Sequence, residues 1–286
     1  MMAVPKASVL ADRAVLRLGG RDRATFLQGL VTADIHGLAA GASRWAALLT
    51  PQGKILFDFL VVEQDDGTLI DCARQQRDEL AKRLAFYKLR AEVTIEPVAG
   101  MAVAAAPPNV QIAIPSAIVY ADPRLADMGS RAFISDDHVS ALDADAADYR
   151  ATRIALGIPD TVEDIGSGVL FPHEANLDQL GGVSFTKGCY VGQEVVSRME
   201  HRGTARNRIL PITADRALDK GSDITGGGRG LGQVLSTAGK QALALIRLDR
   251  LAEALTAGER ISAGDAPVAV RQPAWARFKV PGAAAA

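Results

Sequence analysis

Cysteine and histidine are scarce in this chain, and their scarcity excludes several kinds of site. The 286 residues contain two cysteines, Cys72 and Cys189, and four histidines. Two cysteines cannot build a disulfide scaffold, and they are too few for the four thiolates that an iron–sulfur cluster or a structural zinc ion usually takes. The histidines are scattered, without the i,i+4 spacing of paired ligands on a helix. We therefore expect no stoichiometric metal in the isolated monomer.

Long apolar runs and a strong charge of either sign are also missing. No stretch approaches the ~20 apolar residues that span a bilayer. The first ten residues lack the charged segment and apolar core of a secretory signal. The formal net charge of −1 gives no overall attraction for nucleic acid or an anionic membrane. These absences predict a cytoplasmic protein without a membrane partner, and they argue against direct nucleic-acid binding.

The chain is 48% hydrophobic, enough for two or three packed lobes. Apolar periodicity in the N-terminal third predicts strands and helices in mixed order. The predicted elements are strands at Ala14–Leu18, Trp45–Leu49, Ile55–Val62, Thr68–Ala73 and Glu92–Glu96, with helices at Arg23–Leu30 and Arg74–Leu89. This order is typical of an α+β lobe rather than of a doubly wound parallel sheet.

The remaining chain divides into an irregular middle and a strand-rich end. The middle is predicted to hold short strands at Ile112–Ile114, Ile118–Ala121 and Ala132–Ile134, a helix at Ala144–Leu156, and a long loop at Glu163–Ser184. Beyond Arg206 the predicted strands are Ile209–Ile212, Gly230–Ser236, Ala242–Leu248, Glu259–Ile261 and Pro267–Arg271. Their short lengths and regular turns predict a small antiparallel barrel. Within it, the glycine-rich Gly226–Gly230 is expected to form a hairpin turn.

The segment Lys187-Gly-Cys-Tyr-Val-Gly-Gln-Glu194 carries the strongest functional signal. Apolar residues at i,i+4 spacing predict a helix that starts near Gly192, so Cys189 would lie just before its N-terminus. The helix dipole and the neighbouring Lys187 would lower the pKa of the Cys189 thiol. The alternative is a small buried cysteine that fills a turn. Cys72, which alternates with apolar neighbours, is predicted to be an inert core residue.

This octapeptide closely resembles the signature of the YgfZ/Iba family of folate-binding iron–sulfur cluster assembly proteins. Matching segments on both sides extend the resemblance over nearly the whole chain: Phe26–Ile35, Phe171–Leu177, Leu180–Phe185 and His201–Gly203. The family is related to the T-protein of the glycine cleavage system, an aminomethyltransferase. The resemblance implies a T-protein-like three-lobe α+β fold, with two packed α+β lobes around a folate pocket and a C-terminal antiparallel β-barrel. The lobes would comprise residues 1–48 with 139–205, residues 49–138, and residues 206–280.

The resemblance also implies a function and a set of candidate site residues. The protein would bind tetrahydrofolate or a one-carbon derivative in the cleft between the N-terminal lobes. Its partners would be the iron–sulfur assembly machinery and client cluster enzymes, such as those that modify tRNA. Cys189 and Lys187 would form the reactive centre. The candidates for folate contacts are Asp34, Asp58, Tyr190, Gln193, Glu194, Arg198 and Arg202.

A cationic cluster follows the cysteine. Its members are Lys187, Arg198, His201, Arg202, Arg206 and Arg208. Such a cluster would suit the glutamyl carboxylates of folate, a phosphate or an RNA backbone. Its alternative interpretation is a solvated helix face. In the same way, Asp34 could bind a ligand or could cap backbone amides in a turn, and Asp58 could be a solvated acid beside a strand.

Two departures from T-protein leave the activity open. Phe57 stands where T-protein has the first of two aspartates, which leaves Asp58 alone. Ala155 stands where T-protein has the carboxylate that bonds the donor edge of the pterin. Both differences argue against aminomethyl transfer, so a folate-dependent one-carbon transferase is the alternative function. A cysteine-based thiol or redox enzyme is a second alternative, although Cys72 would have to approach Cys189 in space.

Overall fold

The computed structural model describes residues 6–142, 145–203 and 205–283. The first nine strands lie in the N-terminal half of the chain. They are β1 (Ser8–Val9), β2 (Arg13–Gly19), β3 (Ser43–Leu49), β4 (Ile55–Gln64), β5 (Gly67–Ala73), β6 (Thr94–Pro97), β7 (Met101–Ala106), β8 (Ile118–Ala121) and β9 (Ser130–Ser135). The α-helices are α1 (Arg23–Gln28), α2 (Arg77–Lys88), α3 (Ala147–Leu156), α4 (Gln193–Arg202) and α5 (Leu248–Thr256).

Five of these strands form an antiparallel sheet in the order β3-β4-β5-β2-β6. One face of the sheet packs against α1 and α2, where Leu27 and Leu84 are fully buried beside Phe57 of β4. The opposite face packs against a second sheet, and Trp45 and Phe133 belong to that shared core. The strands of the five-stranded sheet are therefore covered on both faces, which explains their nearly continuous apolar sequences.

The second sheet has the order β1-β7-β9-β8. It includes the alanine-rich strand β7 but not the predicted strand Ile112–Ile114, which is irregular. Prolines at 107, 108 and 115 flank that segment and lack the N–H donors that a sheet ladder needs. Ile112 is nevertheless buried in an apolar cluster against β7 and β9. The apolar signal was therefore correct about burial and wrong about the strand.

A buried ion network joins the two sheets. Asp71 of β5 accepts hydrogen bonds from Arg13 Nε at 2.6 Å and from Arg131 Nη1 of β9 at 2.5 Å. Arg131 Nε also donates to Asp122 at 3.1 Å, and Asp122 is held by Arg124 at 2.6 Å. All five side chains are buried. Each charge is paired inside the network, as a low-dielectric interior requires.

The sheets divide the chain differently from the predicted lobes. The predicted boundary between residues 48 and 49 falls at the end of β3, yet β3 and β4 pair as one hairpin through the turn at 50–54. The first sheet therefore runs from residue 13 to residue 97, and the second takes β1 together with residues 101–135. An antiparallel hairpin with a short turn keeps both strands in one sheet, so the boundary cannot separate them.

The helix predicted from residue 144 is observed as α3 from Ala147, and it ends at Gly157 as expected. Ala144 itself lies outside the described residues.

In the described ranges, no helix is long and apolar enough to cross a membrane.

The C-terminal part is a closed antiparallel barrel. Its strands are β10 (Asn207–Ala214), β11 (Asp223–Gly226), β12 (Arg229–Ala238), β13 (Gln241–Arg247), β14 (Ile261–Ala263) and β15 (Ala266–Val270). Their order is β10-β13-β12-β11-β14-β15, and pairing of β10 with β15 closes the barrel. The glycine-rich segment forms the β11–β12 turn, which confirms the predicted hairpin. The sequence interpretation missed α5, because the apolar run of β13 continues directly into Leu248.

Candidate functional site

The segment 187–194 is a short loop that leads into α4. The helix begins at Gln193, which confirms the predicted start near Gly192. Gly192 has φ +80°, and a Cβ on it would lie 2.5 Å from the Thr50 carbonyl oxygen. Gly53 has φ +82°, and a Cβ on it would lie 2.9 Å from Val195 Cβ. The two glycines therefore allow the β3–β4 turn to pack tightly against the start of α4.

Lys187 anchors this loop to the segment that follows α1. Its side chain is buried, and Nζ donates to the carbonyl oxygens of Val31 and Ala33, both at 2.7 Å. Nζ also lies 5.3 Å from the centroid of the Tyr190 ring. Burial lowers the pKa of Lys187 to about 8, although the nearby charge of Asp34 opposes this shift. The ammonium donates to two backbone carbonyls, so Lys187 positions the loop, and the effect of its charge on Cys189 stays a prediction.

The segment that Lys187 holds is itself fixed by its polar side chains. Thr32 donates through its hydroxyl to the Gly182 carbonyl at 2.6 Å and accepts from the Ala47 amide at 2.9 Å. Asp34 accepts from Gln28 Nε2 at 2.9 Å and from the His36 amide at 3.3 Å. Asp34 is therefore the turn cap that the sequence offered as one interpretation. The contact between Thr32 and Gly182 joins this segment to the loop before Lys187, and the Asp34 contacts hold the turn itself.

The two cysteines lie in opposite environments. Cys189 is exposed within the anchored loop, so the alternative of a small buried cysteine filling a turn is wrong. Cys72 lies in the core of the five-stranded sheet, as predicted, with its sulfur 3.6 Å from the Ala14 carbonyl oxygen. Burial raises the pKa of Cys72 to about 12. Only Cys189 is presented to a reagent or a partner from outside.

This contrast predicts a large difference in alkylation. At pH 8 a thiol with a pKa of about 12 is ionised in roughly one molecule in 10,000, and the thiolate is the nucleophile. We expect iodoacetamide to modify Cys189 at least ~100-fold faster than Cys72 in the native protein. Peptide mass spectrometry at successive times measures both rates. The urea-unfolded protein is the control, because both thiols should then react at similar rates. Similar rates in the native protein would contradict the burial of Cys72.

The remaining candidates on α4 lie at the surface. Glu194 and Arg198 form an exposed i,i+4 ion pair at 2.7 Å, which stabilises the helix by only ~0.3–0.5 kcal/mol. Gln193 is partly buried, and its backbone N–H donates to the Tyr190 carbonyl oxygen at 3.2 Å. Arg202 is exposed at the end of the helix.

Tyr190 and two of the predicted cations point inward. Tyr190 is buried, which raises its pKa to about 12, and within the described chain its hydroxyl has no hydrogen-bond partner. Lys187 is buried at the loop, and Arg208 is buried against Asp178 with contacts of 2.6 and 3.0 Å. The predicted cationic cluster is therefore divided, because Lys187 binds backbone carbonyls and Arg208 pairs with a buried carboxylate, whereas Arg198 and Arg202 are exposed.

Asp58 faces the core between the two sheets. Its side chain is 4% exposed, so the interpretation as a solvated acid is wrong. Oδ2 accepts from the Trp45 indole at 2.9 Å, whereas Oδ1 makes no hydrogen bond of normal geometry among the described residues. The Thr161 hydroxyl lies beside this carboxyl group, and its interaction with Asp58 favours the ionised form. Burial raises the pKa of Asp58. Phe57 points to the opposite face of β4, into the core under α1 and α2.

Several residues of these sites were not predicted from the sequence. Trp45 could have been found, because a buried indole N–H needs an acceptor and Asp58 lies on the paired strand. Thr161 gave no signal, since a single threonine next to an irregular loop is common. His173, Asp178 and Glu200 also converge, with one ligand atom from each within 4.8 Å of the others. Sequence spacing could not reveal this trio, because the fold and not a helical repeat brings it together.

Comparison of the sequence with known proteins shows which family this chain belongs to. Residues 206–278 match the model of the CAF17 C-terminal beta-barrel domain. The human protein named iron-sulfur cluster assembly factor IBA57, mitochondrial, is 33% identical over 278 residues, which cover 85% of this chain and 77% of the human protein. The tRNA-modifying protein YgfZ of Klebsiella pneumoniae is 30% identical over 243 residues, covering 75% of this chain and 74% of that protein. This chain belongs to the IBA57/YgfZ family.

A solved structure of a T-protein has a fold similar to that of this chain. The glycine cleavage system aminomethyltransferase T from Bartonella henselae superposes with a TM-score of 0.71, covering 95% of this chain and 87% of that chain. The two sequences are 13% identical, so the likeness concerns the fold alone. The IBA57/YgfZ chain described here therefore has the T-protein-like fold expected from its sequence.

Proposed function

We propose that this protein supports iron–sulfur cluster assembly through the exposed thiol of Cys189, with a reduced folate as its ligand. The observation that carries the proposal is the presentation of Cys189. Its loop is fixed at one end by Lys187 and at the other by Gly192, while the thiol itself remains exposed. The relatives that share this family are named as a cluster assembly factor and as a tRNA-modifying protein.

An exposed thiol on a rigid loop suits contact with another protein. A thiolate is a ligand for iron–sulfur clusters, and one thiolate from this chain would leave the remaining positions to a partner. The partners proposed are the cluster assembly machinery and client cluster enzymes, including those that modify tRNA. The alternative of a dithiol redox enzyme is disfavoured, because Cys72 is buried with a raised pKa and is poorly suited to be a resolving thiol.

The proposed folate site lies at Asp58, between the sheets. Asp58 Oδ1 and the Thr161 hydroxyl are neighbouring buried groups that interact with each other but make no hydrogen bond of normal geometry within the described chain. An unpaired buried polar group costs about 1–3 kcal/mol, which a ligand would recover by pairing with it. The N–H groups on the donor edge of a pterin would supply this pairing. Asp58 on β4 lies five residues after Gly53 of the β3–β4 turn, so roughly 16 Å of extended chain separates the proposed folate site from the turn that packs on α4.

Calorimetric titration with tetrahydrofolate tests the folate part of the proposal. We expect saturable binding by the wild type and at least ~10-fold weaker binding by Asp58→Ala, since that variant removes the acceptor. Asp265→Ala is the control, because it removes an exposed carboxylate in the β14–β15 turn of the barrel, away from Asp58. Absence of heat and of a thermal shift at millimolar tetrahydrofolate would reject folate binding. Equal weakening by both variants would reject the assignment of Asp58.

A further inference from the structure

The turn that carries Thr161 has an unusual backbone. Residues Thr161–Ile165 form a single π-helical turn, in which the amides of Ile165 and Gly166 donate to carbonyl oxygens five positions earlier, at 3.1 and 3.0 Å. Segments of π-helix are rare and often mark functional sites. The turn places Thr161 beside Asp58 of β4. Any group that fixes this turn therefore also fixes one wall of the proposed folate site.

Arg153 of α3 is the group that fixes the turn. It is 3% exposed, and its Nη1 donates to Asp164 Oδ2 at 2.5 Å and to the Ile158 carbonyl oxygen at 2.9 Å. Its Nη2 donates to Glu163 Oε2 at 3.1 Å. The same oxygen of Asp164 also accepts from the backbone N–H of Asp160 at 2.8 Å. One guanidinium group therefore holds both the turn and the chain that enters it.

The barrel supplies a further contact of Arg153. Its Nη2 lies 3.5 Å from the hydroxyl oxygen of Ser236, a buried residue of β12. The pairing of β12 with β13 shifts its register between Val234 and Ser236, and a bulge of this kind can redirect a side chain. Both terminal nitrogens of Arg153 thus donate to acceptors of the protein. The guanidinium group can therefore affect the site through the turn without contacting a ligand.

We propose that Arg153 is a positioning residue for the Asp58 site, a role that rests on the proposed function. A threonine side chain has few allowed χ1 rotamers, so the direction of the Thr161 hydroxyl follows the backbone of its turn. The bonds from Arg153 to the turn are charge-assisted and therefore strong. Without them the turn would shift, and the Thr161 hydroxyl would no longer be held beside Asp58. A bound folate would then lose one of the two groups proposed to pair with it.

Calorimetric titration of Arg153→Lys with tetrahydrofolate tests this role. Lysine keeps the charge but lacks the planar fork that reaches the acceptors of the turn together. We expect at least ~10-fold weaker binding than in the wild type, because the site is misplaced. Arg208→Lys is the matched control, since Arg208 is also a buried arginine paired with a buried aspartate but lies on β10. The control should bind tetrahydrofolate as the wild type does.

Two further measurements distinguish a positioning role from a general loss of structure. If Arg153 acts through Thr161, Arg153→Lys should add little to the loss of affinity in Thr161→Val, whereas independent effects would multiply. Amide hydrogen exchange without ligand should rise at least ~10-fold at residues 160–166 of Arg153→Lys and stay unchanged in β4. Glu163→Gln should cause smaller changes of the same kind, because Glu163 is half-buried and the pair of Arg153 with Asp164 remains.

The outcomes separate this role of Arg153 from the proposed function. Wild-type protein that binds no tetrahydrofolate rejects the proposed function, and hydrogen exchange then decides whether Arg153 fixes the turn. If the wild type binds, unchanged affinity in Arg153→Lys or equal weakening in Arg208→Lys overturns the positioning role. Multiplied losses in the double variant with Thr161→Val also overturn it. Should Arg153→Lys fail to fold, Glu163→Gln decides, and wild-type affinity and exchange in that variant overturn the role.

Discussion

Replacement of Asp71 by asparagine should lower the free energy of unfolding by about 3–5 kcal/mol. The carboxylate of Asp71 is completely buried and pairs with Arg13 and Arg131, which come from different sheets. Tyr120 also donates its hydroxyl to Asp71 at 3.0 Å. A neutral asparagine would leave the positive charges of two buried guanidinium groups without the negative charge that Asp71 supplies. Its NH₂ group would also face the N–H donors of the two arginines. Urea unfolding followed by circular dichroism measures the change.

The control for Asp71 is a carboxylate with a similar partner at the surface. Asp66 pairs with Arg17 at 2.6 Å, but solvent reaches both side chains, so Asp66→Asn should leave the urea midpoint nearly unchanged. Similar losses from the two variants would contradict the structural importance of the buried network.

The same network predicts how stability depends on pH. Although burial opposes ionisation, the two guanidinium groups prevail and hold the pKa of Asp71 below its ordinary value. A depressed carboxyl pKa contributes stability above the unfolded pKa of ~3.9, and this contribution is lost as the pH falls toward the folded pKa. The stability difference between wild type and Asp71→Asn should therefore narrow below about pH 4. A constant difference from pH 7 to pH 3 would indicate that charge is not the cause.

The sequence was most informative where one periodic signal dominated. The strands β2 to β5 and the helix α4 were found within a few residues, because each combines an apolar run or a periodic apolar pattern with a clear turn or glycine. Ile112–Ile114 was wrong as a strand, because burial and strand pairing are separate properties that a short apolar run does not distinguish. The predicted lobe boundary at residue 48 separates two strands of one hairpin, because the apolar pattern does not show which strands pair.

The sequence motif identified the segment of the candidate site, but it did not predict which groups its side chains contact. Sequence identified the segment of Cys189, but the direction of the Lys187 ammonium depends on carbonyl groups more than 150 positions away. Asp58 was ambiguous, because one acid on a strand can face water or the core. His173 and Glu200 are 27 positions apart, so no local spacing connects them. Long-range packing, which sequence periodicity does not encode, decided each of these cases.

Replacement of each cysteine in turn tests whether Cys189 is the functional thiol. Cells that lack their own family member would express either Cys189→Ala or Cys72→Ala at matched protein levels, and the activity of a cluster-dependent enzyme would be measured. Cys189 is exposed, so its loss should leave folding intact and abolish rescue. Cys72→Ala should restore activity, since that thiol only fills the core. Full rescue by Cys189→Ala would contradict the account.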